Sequence, residues 1–270
     1  MNLSISNIAW NVEEDNEIKT LLKRLGINGI EIAPTKIWEN PLACTSIEIE
    51  KYKTYWQSNG IELVAMQSLL FGQNHLKLFS NSESRLEMIE YLTGIISLAG
   101  QLGIRSLVFG SPKNRLVGSL TKKEQFEIAI PFFYELGTIA AKENVTLCIE
   151  PNPTQYGCDF ITNTEDGIAL VREVGISGFQ LHLDAGALLL NNELVSSVIE
   201  KSMPYLNHFH ISEPYLNRIG SEDTQHKRIA DALKMQDYKN WISIEMRSDL
   251  SSSNIKSVEK ALIYAMEVYS

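Results

Sequence analysis

Hydrophobic and polar positions along this chain follow two periods in turn. Short apolar runs recur every ~30 residues, each closed by turn residues and followed by a longer stretch with apolar positions three or four apart. Residues 3–9 form the first such run. Residues 13–25 then read as a helix, with Leu21, Leu22 and Leu25 on one side and Gly26 as its stop. The same step repeats as strand 29–34 and helix 47–58, strand 62–69 and helix 84–102, then strand 106–112 and helix 122–143. Four more strands are predicted at 146–150, 179–184, 206–210 and 241–245, with helices at 164–174, 194–201, 223–233 and 254–269. Eight such steps, each about the length of a βα unit, predict an α/β fold with a parallel sheet. Eight units favour closure into a single (β/α)₈ TIM barrel with outer helices, and no linker or shift in composition divides residues 1–270.

The last four strands depart from the usual pattern of a buried parallel sheet, which is apolar on both faces. Successive side chains of a strand point to opposite faces. One face carries Leu147 and Ile149, Leu181 and Leu183, Phe209 and Ile211, Ile242 and Ile244. The other carries Cys148 and Glu150, His182 and Asp184, His208 and His210, Ser243 and Glu245. The ionisable groups gather at the C-terminal strand ends, where a barrel places its active-site loops.

Glu150, Asp184, His210 and Glu245 make a mixed oxygen and nitrogen donor set, suited to one divalent Mn²⁺, Mg²⁺, Co²⁺ or Zn²⁺. A single carboxylate at a strand end is more often a helix cap or an ion-pair partner. Three at one register are different, because they would repel strongly without a cation.

Composition narrows the rest. The chain is acidic, with a net charge of −9, and lacks the basic footprint expected of a nucleic-acid clamp. Its three cysteines, Cys44, Cys148 and Cys158, form no CxxC pair and suggest a reducing compartment. No signal-like N-terminus or membrane-length apolar run is seen, so the expected location is the cytoplasm, with no membrane partner. Association with further copies of the chain is left open.

The segments Ile149-Glu-Pro-Asn152, His182-Leu-Asp-Ala-Gly186, His208-Phe-His-Ile-Ser-Glu-Pro214 and Ile242-Ser-Ile-Glu-Met246 together resemble the xylose isomerase-like TIM-barrel superfamily. The closer resemblance is to its sugar phosphate isomerase/epimerase branch, which includes ketose 3-epimerases; Gly29-Ile-Glu31 and Phe109-Gly-Ser-Pro112 also fit. The resemblance implies that Glu150, Asp184, His210 and Glu245 hold one metal, and that Glu150 and Glu245 exchange protons with a small sugar. The chemistry is coherent, since a carboxylate on each face of a carbon beside a ketone lets one remove a proton and the other return it. Glu213 and Arg218 follow strand seven, where the resemblance implies contacts to the sugar, and His226 opens the next helix within reach of the site. The chain departs from the ketose 3-epimerase pattern at Ala187, where a histidine is expected, and at Tyr156, where a glutamate is expected.

Other residues carry weaker signals. His182, His208 and Glu31 point inward below the proposed ligands. Lys113, Asn114 and Arg115 follow strand four as anion contacts or as a solvated loop. Besides a sugar isomerase or epimerase, the pattern admits a keto-inositol dehydratase and a non-catalytic sugar-binding barrel. A DNA-repair endonuclease fits less well, because only His75 precedes residue 182 to supply further metal ligands.

Overall fold

The computed structural model describes residues 1–222 and 224–269. Its eight strands are β1 (Asn2–Ser6), β2 (Gly29–Ile32), β3 (Glu62–Met66), β4 (Ser106–Phe109), β5 (Thr146–Ile149), β6 (Phe179–Asp184), β7 (Leu206–Ser212) and β8 (Trp241–Glu245). They pair in parallel in chain order, and β8 returns to β1, so the barrel is closed as expected. The helices around it are α1 (Asp15–Leu25), α2 (Ser46–Gln57), α3 (Ser82–Leu102), α4 (Lys122–Lys142), α5 (Thr164–Val174), α6 (Ala185–Leu190), α7 (Val195–Ser202), α8 (His226–Met235) and α9 (Asn254–Tyr269).

Local chemistry sets several boundaries. Thr45 and Glu48 form a reciprocal cap on α2, and Thr121 and Glu124 do the same for α4. Strand β1 ends earlier than expected because the Ser6 hydroxyl accepts from the Ile8 amide and turns residues 7–9 into a short 3₁₀ segment. Helix α6 is an addition to the expected elements; Asp184 caps it directly at the end of β6, with no loop between strand and helix. The expected start of the helix after strand seven, Asp223, lies outside the described residues, and α8 begins at His226. No helix among the described residues is long and apolar enough to cross a membrane.

The outward face of the sheet supplies the main core. Ile5, Ile30, Leu107, Phe109, Leu147, Ile149, Phe209 and Ile244 are completely buried beneath the helices. Burying an aliphatic or aromatic side chain of this size contributes about 1.5–3 kcal/mol. Phe133 of α4 stacks on Phe179 at 4.6 Å and meets Phe109 edge-on at 5.3 Å, which fixes α4 against β4 and β6.

The interior is unusually polar. Ser4, Ser6, Glu31, His182, His208 and Ser243 are all fully buried inside it. Gln67 answers Ser6 with a 2.8 Å hydrogen bond, and Ser4 donates to the Ile242 carbonyl at 3.2 Å. A one-residue register shift between β6 and β7 matters most for the site. It pairs His182 with His208 and Asp184 with His210, leaving Asn207 as the extra residue. The Asn207 amide donates to Ser106 Oγ at 2.8 Å and to Cys148 Sγ at 3.3 Å.

Candidate metal centre

The ends of β5, β6, β7 and β8 bring Glu150, Asp184, His210 and Glu245 together. One donor atom from each lies within 4.8 Å of those of the other three. Each side chain is set by a separate local device. The Glu150 carboxylate accepts from Asn152 Nδ2 at 3.0 Å, while the Glu150 carbonyl accepts from Arg115 Nη2 at 2.6 Å. Asp184 Oδ1 caps α6 through the Ala187 amide at 2.7 Å, and Oδ2 accepts from the Ser212 hydroxyl. That hydroxyl in turn accepts from the Gly186 amide at 2.9 Å.

His210 is held from below. Its Nε2 lies 3.0 Å from Glu31 Oε2 and 3.1 Å from Oε1. Its Nδ1 lies 3.2 Å from Glu245 Oε2, but the two are not aligned as a hydrogen bond, and Nδ1 is buried without a partner. A buried ring nitrogen 3.2 Å from a carboxylate is compatible with two groups that could hold one cation.

Electrostatics support that reading. Burial first, then the neighbouring Glu245 and Asp184 carboxylates, push the Glu150 carboxyl up to about 8. Burial and Glu245 push Asp184 up to about 6. Burial alone would lower the His210 ring, but Glu31 and Glu245 outweigh it and hold the ring well above its ordinary value. Burial would raise Glu31, yet His210 and His208 hold it well below the carboxylate range. Carboxyls strained upward at the mouth, and a ring strained upward between two acids, are the marks of a site short of positive charge. The donor set, three carboxylates and one imidazole, fits a borderline or hard divalent ion.

His182 and His208 occupy the layer beneath. Together with His210 they also fall within 4.8 Å of one another. His210 Nε2 is already taken by Glu31, however, so the upper set is the better candidate. His182 Nε2 approaches Glu150 Oε1 at 3.9 Å and His208 Nε2 approaches Glu31 Oε1 at 3.5 Å.

A cavity of about 350 Å³ opens above the cluster. Glu150, Asp184, Glu245, Asn152, Tyr156, Pro112, Tyr215 and Leu216 line it. The three residues expected to touch a sugar lie elsewhere. Glu213 and His226 are buried and face each other at 3.2 Å. Glu213 also accepts from the Gly220 amide at 2.7 Å and from the Thr224 hydroxyl, and His226 Nδ1 meets the Tyr269 hydroxyl at 2.8 Å. These contacts tie the loop after β7 to α8 and α9. Arg218 is exposed on that loop and does not line the cavity. Arg115 is fully buried beneath Glu150 rather than lying in a wet loop, and Asn114 pins the segment after β3 through the Gln73 and Leu76 carbonyls. Tyr215 escapes sequence reading as a wall of the site because its position depends on a left-handed backbone, with φ of 60°, that no motif announces.

The whole chain superposes on known barrels. D-psicose 3-epimerase from Clostridium cellulolyticum H10 gives a TM-score of 0.82 at 16% identity, over 100% of both chains. The 3-keto-D-glucoside 4-epimerase of E. coli gives 0.82 at 16% identity, over 99% of both. The IOLI protein, solved with a zinc atom, gives 0.79 at 18% identity, over 100% of this chain and 98% of the other. At such identities the likeness establishes the fold. No curated protein matches the chain in sequence. The family described as xylose isomerase-like TIM barrel matches residues 20–267, nearly the entire chain. The chain therefore belongs to the xylose isomerase-like TIM-barrel family.

Proposed function

We propose that the protein is a divalent-metal-dependent sugar isomerase or epimerase, which moves a proton at the carbon beside a sugar carbonyl. The observation that carries this reading is the convergence of Glu150 and Glu245, from strands three places apart in the ring, on one point together with Asp184 and His210. Held by those four side chains, a divalent cation would supply positive charge to a substrate carbonyl and so acidify the neighbouring C–H.

The protein's own groups do the remaining work. Glu150 and Glu245 both border the cavity, and the reading requires a small sugar seated with its reacting carbon between them. One removes the proton and the other returns it, which inverts the carbon; return from the same side to the adjacent carbon gives aldose–ketose isomerisation. In the metal-free protein burial and the neighbouring Glu245 and Asp184 carboxylates raise the Glu150 carboxyl, and a cation among them would lower it again. Asn152 steadies that carboxylate, and Glu31 orients His210.

The test is metal analysis of the purified protein, followed by incubation with candidate keto sugars in deuterated water. Deuterium should enter at the carbon next to the carbonyl and should vanish in Glu150→Gln and Glu245→Gln. Catalysis by a positioned acid or base is typically worth ~10²–10⁴-fold, so each variant should lose at least roughly a hundredfold. Exchange that persists in both variants would rule the assignment out.

A further inference from the structure

Below the mouth, the barrel interior holds two histidines without hydrogen-bond partners. His182 and His208 are completely buried, and none of their four ring nitrogens makes a hydrogen bond to any described residue. A neutral imidazole carries one N–H donor and one acceptor, and leaving them unmet away from water is costly. Packing alone does not account for two such rings side by side, because apolar side chains of similar shape would fill the space without that cost. One nitrogen from each of His182, His208 and His210 lies within 4.8 Å of those of the other two. The His182 and His210 ring centroids are 4.1 Å apart, and the other two pairs are 5.4 Å apart. Nitrogens that bind one zinc ion at about 2.0–2.1 Å stand roughly 3–4 Å from each other, so small rotations of the rings close this set. The buried Glu31 carboxylate stands beside two of the three, 3.5 Å from His208 Nε2 and 3.0 Å from His210 Nε2.

We propose a second cation site in the barrel interior, formed by His182, His208 and His210 with Glu31 as the fourth group. Its donors are mainly imidazole, so it takes a borderline transition ion such as Zn²⁺ or Co²⁺ rather than Mg²⁺ or Mn²⁺, which favour oxygen. The carboxylate-rich set at the mouth has the opposite bias. His210 is the one residue common to both sets, and its two nitrogens face different groups: Nδ1 faces Glu245 and Nε2 faces Glu31. With the mouth filled through Nδ1, an ion below displaces the Nε2 proton, which leaves to solvent, and the ring bridges the two ions as imidazolate. The way in from the mouth passes Glu150, whose Oε1 lies 3.9 Å from His182 Nε2. The interior site does not depend on the proton-transfer reading, since it rests on the histidine donors alone.

Metal counting tests the site on the intact protein, stripped with a chelator, reloaded with Zn²⁺ and freed of loose ion by gel filtration. His182→Gln and His208→Gln should each carry one zinc ion fewer per chain than wild type. Glu245→Gln alters the mouth alone and should keep the interior ion, which the added His208→Gln change then removes. A count in either histidine variant equal to that of wild type overturns the proposal. Cobalt titration of the unaltered protein covers the case of a variant that fails to fold. One bound equivalent should bring the visible absorption of four-coordinate, nitrogen-ligated cobalt, and its absence overturns the proposal whatever the variants show. Failure of the proton-transfer reading has a different signature: no deuterium enters any sugar, while the histidine-dependent ion is still counted.

Discussion

Glu31 and His210, separated by 179 positions in the chain, meet inside the barrel with Glu31 Oε2 3.0 Å from His210 Nε2. The contact fixes which ring nitrogen is free. With Nε2 directed at Glu31, Nδ1 faces Glu245 and the mouth. A carboxylate behind a ligating histidine sets its tautomer and raises its basicity, and losing such a partner typically costs roughly 10–100-fold in metal affinity.

Glu31→Ala should therefore weaken cation binding by roughly ten- to a hundredfold, although Glu31 lies a layer below the mouth and does not line the cavity. It should also destabilise the fold, because His210 and His208 both lose the carboxylate they face. Glu31→Gln retains the shape and should lose less of both. Competition titration with a metallochromic chelator measures the affinity. Wild-type affinity in Glu31→Ala would show that the ring is positioned by something else.

A second prediction concerns glycine. Gly110 follows β4 and faces inward, and a Cβ there would collide with Glu150 Oε2. The obstructing atom is the tip of a mobile carboxylate, so the fold should absorb Gly110→Ala at about 1 kcal/mol or less. The cost should fall on function, because the Glu150 carboxylate must swing away from Asn152 and from its shared point with Asp184. The expected outcome is an unchanged melting temperature with metal affinity lowered roughly tenfold. Gly186 makes the contrast. A Cβ there would meet the Glu213 backbone carbon at 2.8 Å and Pro214 N at 2.9 Å, which cannot move aside so easily. Gly186→Ala should lower stability first. Thermal melts beside metal titrations separate the two cases.

What sequence reading reaches here depends on the range of the interaction. Alternation in strands and caps in helices are local, so the barrel and the shared register of Glu150, Asp184, His210 and Glu245 are visible in the chain. Helix α6 is hidden because Ala185 to Leu190 is a continuous apolar run, and the capping role of Asp184 coincides with its expected role as a ligand. The inward direction of Glu31 is legible, but its bond to His210 depends on barrel closure. Glu213 and His226 are chemically plausible near a sugar. Their pairing with each other, Thr224 and Tyr269 is a tertiary event that turns them away from the cavity.

That pairing yields a third prediction. His226→Leu should strand the buried Glu213 and Tyr269 groups and cost about 1–3 kcal/mol of stability. Metal stoichiometry should remain unchanged. Arg218→Ala, at an exposed position off the cavity, should fall within about 0.5 kcal/mol of wild type. Chemical denaturation gives the stabilities. A loss of sugar affinity in Arg218→Ala, with stability intact, would return that side chain to the binding site.

The fourth prediction is the pH dependence of stability with and without metal. Glu150, ordinarily near 4.5, is pushed up to about 8, and Asp184, ordinarily near 3.8, to about 6. A carboxyl whose folded value is raised contributes stability that is fully present below its unfolded value and lost as pH rises through the folded one. For Glu150 that window runs from about 4.5 to 8, and for Asp184 from about 3.8 to 6. The raised His210 ring acts in the same direction: its contribution is present below about 6.5 and lost as pH rises through its higher folded value. Glu31, held low, acts oppositely; its contribution is present above about 4.5 and lost only as pH falls toward its depressed value. A tenfold difference in proton affinity between folded and unfolded chain is worth about 1.4 kcal/mol, so protein treated with a chelator should lose on the order of a few kcal/mol between about pH 5 and 8. With manganese bound, the carboxylates face a cation rather than one another, and binding to the native state alone adds stability. The two melting curves should lie close together at about pH 5 and diverge steadily toward pH 8, with the metal-loaded protein the more stable. Parallel curves across that range, measured by circular dichroism, would mean that Glu150 and Asp184 do not share a cation.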